Sequence, residues 1–134
     1  MHDDYRNDYV KYRVEKAQAC LRSALREFDA GEFFASTNRS YYCIFHAMRA
    51  VLVLDSFDTK KHSGIISAFR QRYIKTAVFP VEFSRIIEDA FDARNHSDYE
   101  DFFIISKNEV AEQIENAKIF LAAVEAYLSA HVSE

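Results

Sequence analysis

Arg39, Tyr42, His46 and Arg49 follow one another at intervals of three, four and three residues. That spacing stacks side chains along one stripe of an α-helix. Arginine offers a planar fork for phosphate, and tyrosine offers a ring for stacking and a hydroxyl. Interleaved along one stripe, the two suit a nucleotide or single-stranded RNA. The competing reading is a polar helix face paired with acids from a neighbouring helix. A second group, Arg94-Asn95-His96-Ser97-Asp98-Tyr99, places six consecutive hydrogen-bonding residues together. It reads equally as a binding cluster or as a helix C-terminal cap, with Arg94 at the negative end of the helix and Asp98 in an Asx turn.

Other chemistries find no support in the residue pattern. His62-Ser63-Gly64 and His96-Ser97-Asp98 contain triad residue types, but a triad is defined by converging geometry and not by adjacency. The five histidines form no HxxxH or HxH pair, so no metal site is expected. With two glycines in the chain, there is no glycine-rich loop to cradle phosphates, and no cofactor motif is present.

The elements that must position these residues are helices. Gly31, Gly64 and Pro80 are the only glycines and proline in the sequence, and each falls at a boundary. Val10, Val14, Ala17, Leu21, Ala24 and Phe28 form an apolar stripe that stops at Asp29-Ala30-Gly31, which predicts a first helix. From about Phe33 to Leu54, Tyr41, Phe45, Met48 and Leu52 share a face, with Ile44 and Val51 beside them. A stripe that broad predicts a central helix with several neighbours. A polar turn from Asp55 to His62 leads to a short third helix capped by Ser63, with Ile65, Ile66, Phe69, Tyr73 and Ile74 inward. Pro80 opens a fourth, carried by Phe83, Ile87, Ala90 and Phe91 to Arg94; Asn95 to Ile105 reads as an ordered loop, since Asn, Ser and Asp compete with helix for backbone bonds. Ser106-Lys107-Asn108-Glu109 is a capping box. Val110, Ile114, Ala117, Leu121, Val124 and Leu128 then repeat at four-three-four-three-four spacing, the seam of an antiparallel contact. The fold class expected is all-α: one domain over 1–134, an up-and-down bundle of about five helices.

Composition agrees. Hydrophobic residues make up 49% of the 134 residues, and Phe and Tyr are abundant at 12 and 8, which excludes the disordered class. Cys20 and Cys43 lie in apolar surroundings of helical patterns and read as buried and reduced. No apolar run reaches the ~20 residues of a membrane helix, and Met-His-Asp-Asp-Tyr-Arg lacks the features of a signal peptide; a cytoplasmic location is expected. The net charge of -4 hides an uneven distribution. Thr59 to Val81 holds no acid, while Lys60, Lys61, Arg70, Arg72 and Lys75 are basic, so this segment reads either as a surface for an anionic partner or as a solvated helix face.

Asn38-Arg39-Ser40-Tyr41-Tyr42-Cys43-Ile44-Phe45-His46-Ala47-Met48-Arg49-Ala50-Val51-Leu52 resembles the central helix of the HEPN domain family. Lys61-His62-Ser63-Gly64-Ile65, followed by Phe69 and Lys75, and Arg94 followed by Asp98-Tyr99-Glu100-Asp101-Phe102, resemble later blocks of its short, stand-alone prokaryotic branch. The resemblance implies a helical bundle that forms a homodimer and is often encoded beside a minimal nucleotidyltransferase as a toxin and antitoxin pair. It also implies, for many members, a metal-independent endoribonuclease in which an arginine precedes a histidine by roughly five to seven positions. Arg94 and Asn95 match the start of that motif. Positions 99, 100 and 101 are Tyr, Glu and Asp, so the histidine is missing.

Metal-free RNA cleavage needs a group to accept the 2′-hydroxyl proton and one to protonate the leaving oxygen, work suited to an imidazole. A permanently charged arginine stabilises the phosphate but cannot carry those protons. The expected function is therefore a binding or regulatory role, with Arg94, Asn95, Asp98, Tyr99, Arg39, Tyr42, His46 and Arg49 holding RNA, a nucleotide or the partner nucleotidyltransferase. The enzyme alternative is a ribonuclease toxin using Arg94 with a displaced histidine, His46 or His96. A third alternative, a pure interaction protein, predicts Arg39 and Arg49 on a different face from Arg94. Tyr99 is a further candidate, a hydroxyl that the partner could modify with a nucleotide.

Overall fold

The computed structural model describes residues 3–99 and 105–131, and the side chains of residues 5–96 and 105–131. Within them the chain forms five helices and no strand: α1 (Asp3–Asp29), α2 (Phe33–Val53), α3 (His62–Phe69), α4 (Glu82–Tyr99) and α5 (Lys107–His131). Helix α2 packs against all four others, and most extensively against α1. Its breadth of apolar surface is the cause. Ile44, Met48, Val51 and Leu52 are all within 1% of complete burial, covering parts of the helix that a single partner could not reach. Ser36 and Ser40 are buried on the same helix, and the Ser36 hydroxyl donates to the Ala24 carbonyl of α1 at 2.8 Å, which satisfies a polar group that burial would otherwise penalise.

The helix ends follow local chemistry. Gly31 has φ +76°, and the Glu32 amide donates to the Glu27 carbonyl at 2.8 Å while the Gly31 amide donates to Phe28 at 3.0 Å. This is a Schellman closure, which requires a left-handed residue where only glycine is unstrained. At the start of α5 the Glu109 amide donates to the Ser106 hydroxyl oxygen at 3.1 Å, and the Ser106 amide reaches back to the Glu109 carboxylate at 3.5 Å, completing the capping box. All six seam residues of α5, from Val110 to Leu128, are buried. Cys20 and Cys43 are buried and unpaired with each other.

The helix boundaries differ from the sequence reading at α3 and at both ends of α4. Helix α3 begins at His62, with Lys61 in the N-cap position and no side-chain cap, so Ser63 is not the cap. Helix α3 also runs on into a π-turn, Arg70–Ile74, whose wider winding turns both Tyr73 and Ile74 inward. Pro80 precedes α4 by two residues; its carbonyl accepts the Phe83 amide at 3.0 Å. Most consequentially, α4 continues past Arg94 to Tyr99, where a loop was expected. Adding residues to an established helix gains one backbone bond for each residue fixed, which outweighs the weak propensity of Asn, Ser and Asp. Arg94 therefore sits inside a helix and not at its cap.

Among the described residues no helix is long and apolar enough to cross a membrane, and no group of His, Cys, Asp and Glu is placed to hold a metal ion.

Candidate RNA-binding face

The two clusters singled out by spacing meet on one surface. Helix α4 crosses α2 so that the Arg94 guanidinium lies 5.4 Å from the centre of the Tyr41 ring and 5.6 Å from that of Tyr42, and donates to the Tyr42 hydroxyl at 3.4 Å. Arg39 lies over the same Tyr42 ring at 5.3 Å. Attraction between a guanidinium and the negative face of a ring holds such pairs. Arg49, one turn along α2 from Phe45, covers that ring at 5.6 Å, and Phe45 stands edge-on to Tyr42 at 6.0 Å. Arg39, Arg49 and Arg94 thus share a face, against the third alternative.

Among the described residues, the cations on α2 are not matched by acids from a neighbouring helix. Arg39 donates to the adjacent Asn38 side chain at 2.6 and 3.1 Å. Arg49 places both arms on Asp58, at 2.9 and 2.7 Å, and Asp58 lies in the connection between α2 and α3. In the acid-free segment, by contrast, Arg70 pairs with Glu88 of α4 at 3.0 Å and Arg72 with Asp55 at 3.5 Å, while Lys60, Lys61 and Lys75 are exposed.

The histidines of α2, α3 and α4 fall in three different environments. His96 is exposed and lines a recess with Asp89, Asp92, Glu109 and Glu112, between α4 and the start of α5. Two residues of helix carry it about 200° around α4 from Arg94. His46 lies 6.2 Å from Tyr42, centre to centre. Burial, with the charges of Arg13, Arg49, Lys16 and Arg39, pushes its pKa down to about 4.

His62 is the imidazole on the rings that Arg94 covers, although spacing along α2 gives no hint of it. It stacks on Phe45 at 4.2 Å, parallel to Tyr41 at 5.7 Å and edge-on to Tyr42 at 5.7 Å, and its Nδ1 is 2.8 Å from the Tyr41 hydroxyl. Burial first, then the charges of Arg94 and Arg49, lower its pKa. Burial raises that of Tyr41, so the pair is a neutral imidazole against a neutral phenol. The available signal in the sequence was its place in the Lys61–Ile65 segment. Asn95 is partly exposed beside Arg94. The side chains of Asp98 and Tyr99 lie outside the described residues.

Arg94, at which the resemblance starts its motif, thus lies over Tyr41 and Tyr42 of α2, with His62 of α3 beside the same rings. The HEPN domain pattern matches residues 10–127. The chain belongs to the HEPN domain family. It is similar to a Methanocaldococcus jannaschii protein named "Putative toxin", with 30% identity over 115 residues that cover 86% of this chain and 78% of the relative. It is also similar to two UPF0332 proteins. The one from Thermotoga maritima is 28% identical over 116 residues, covering 87% and 88% of the two chains, and the one from Archaeoglobus fulgidus is 29% identical over 114, covering 85% and 90%. The HEPN match spans α1 to α5 and includes every cation and ring of the face described here.

Proposed function

We propose that this HEPN protein binds RNA through the Arg94–Tyr42–Arg39 face, as the RNA-handling component of a prokaryotic toxin and antitoxin system. One observation carries the reading: Arg94 from α4 and Arg39 from α2 converge on a single tyrosine ring, so the site joins two phosphate-binding forks to a surface on which a base can stack. The toxin name of its archaeal relative supports the system assignment. A homodimer and a minimal nucleotidyltransferase are the partners that the family resemblance implies. Light scattering at micromolar concentration tests the first, with a monomer counting against it.

A second reading is an endoribonuclease that needs no metal, and His62 favours it. A neutral imidazole can accept the 2′-hydroxyl proton and, once protonated, give a proton to the leaving 5′-oxygen, Arg94 can stabilise the charged phosphate, and the Tyr41 hydroxyl fixes the ring at Nδ1. One experiment separates the two: a mixed RNA pool is incubated with purified protein in EDTA, beside Arg94→Ala and His62→Ala. Cleavage lost in both folded variants supports the enzyme; intact RNA that binds in an Arg94-dependent way supports the binding module. Neither cleavage nor binding by the wild type would sink both.

A further inference from the structure

A second cationic cluster adjoins this face and is centred on His46. Its Nδ1 is shielded from solvent and has no hydrogen-bond partner among the described residues. The charges of Arg13 and Lys16 of α1 and of Arg39 and Arg49 of α2 all act on the ring, against its protonation. Among the described residues a single acid answers them. Asp58 takes both arms of Arg49 and stands 3.8 Å from Arg13. Tyr12 is 46% exposed, with Arg13 over its ring at 5.2 Å and Lys16 at 5.4 Å.

Four like charges that act on one imidazole also repel one another, and one carboxylate compensates only part of that. The arrangement becomes favourable when a further anion enters. Asp58 shows which geometry fits, because two carboxylate oxygens on the two arms of an arginine fork are placed as two phosphate oxygens would be. It is also 52% exposed by side chain, in a connection and not on a helix, so it can move aside. Tyr42 joins the two regions, since its ring neighbours His46 and carries Arg39 and Arg94.

We infer that Arg13, Lys16, His46 and Arg49 form a second phosphate subsite for single-stranded RNA, continuous with the Arg94 face through Tyr42, with Tyr12 as its stacking ring and Asp58 as the carboxylate that the phosphate displaces. The inference rests on the RNA reading above and adds α1 to the surface. It fits a strand and not a mononucleotide, because Arg39 and Arg94 meet on Tyr42 while Arg13 and Arg49 meet on Asp58, two separate anchor points that call for successive phosphates.

The test uses fluorescence anisotropy with the full chain, comparing a uridine dinucleotide with an oligouridylate of about eight nucleotides. In Arg13→Gln/Lys16→Gln the oligomer binds about tenfold more weakly, with the salt slope reduced by roughly one, as expected for lost phosphate contacts. The dinucleotide is unaffected, and Asp58→Asn tightens oligomer binding. A second readout needs no RNA: titrating inorganic phosphate shifts the His46 ring resonances in the wild type and not in the double variant. Wild-type affinity and slope in the double variant, with binding still lost in Arg94→Ala, would overturn the subsite and leave the Arg94 face standing. Absence of RNA binding by the wild type overturns both, and a His46 signal indifferent to phosphate overturns the subsite alone.

Discussion

The Nδ1 atom of His62 and the hydroxyl of Tyr41 are 2.8 Å apart, a bond that ties the first residue of α3 to the middle of α2. Because both groups are held neutral, one tautomer serves: either the phenol donates to Nδ1 and Nε2 carries the proton, or Nδ1–H donates to the phenol and Nε2 is the base. Tyr41→Phe removes the bond while keeping the ring stacked on Phe45. A loss of about 1 kcal/mol is expected, measured from urea unfolding, as is usual for one neutral hydrogen bond. RNA affinity should stay unchanged, and a large loss of affinity would show that the phenol itself faces the ligand.

Replacing Arg94 distinguishes charge from shape. Arg94→Lys keeps the positive charge but loses the fork and the flat surface over Tyr41 and Tyr42. Both Arg94→Lys and Arg94→Ala should weaken RNA binding by about tenfold or more, corresponding to roughly 1–3 kcal/mol for one charged contact. Full rescue by lysine in an anisotropy titration would reduce the role of Arg94 to simple charge.

Stability should fall on mild acidification. His46 titrates at about 4 in the fold against ~6.5 in an unfolded chain, so between those values the unfolded state binds more protons. Stability is therefore complete above about pH 6.5 and declines as pH falls towards 4. The charges of Arg13 and Lys16 of α1 and of Arg39 and Arg49 of α2 all oppose its protonation. His62 adds a loss of the same sign. The effect of His46 is on the order of 1–3 kcal/mol. Urea midpoints measured across this range should flatten in His46→Gln, and an unchanged slope would contradict the burial of His46.

The capping box offers a control remote from the site. Ser106→Ala leaves the Glu109 amide without its partner and should cost about 1 kcal/mol. Thermal unfolding would register the loss, while RNA binding should be as in the wild type.

The sequence by itself determined the helices and much of the core. The intervals from Val110 to Leu128 predict the buried seam of α5, and Gly31 predicts the end of α1, because both signals are local: burial follows helical period, and chain reversal follows a residue able to take positive φ. The same local rule misplaced the end of α4, since Asn95 to Tyr99 have poor propensity but extend a helix already formed. Periodicity also aligned Arg39, Tyr42, His46 and Arg49. Only the tertiary structure brought Arg94 onto Tyr42, 52 residues away, set His62 on Phe45, and laid Asp58 across Arg49 and Arg13. Such meetings depend on how whole helices cross and how far a connection folds back, quantities fixed by the summed packing of α1 to α5 and not by the identity or spacing of the residues that meet.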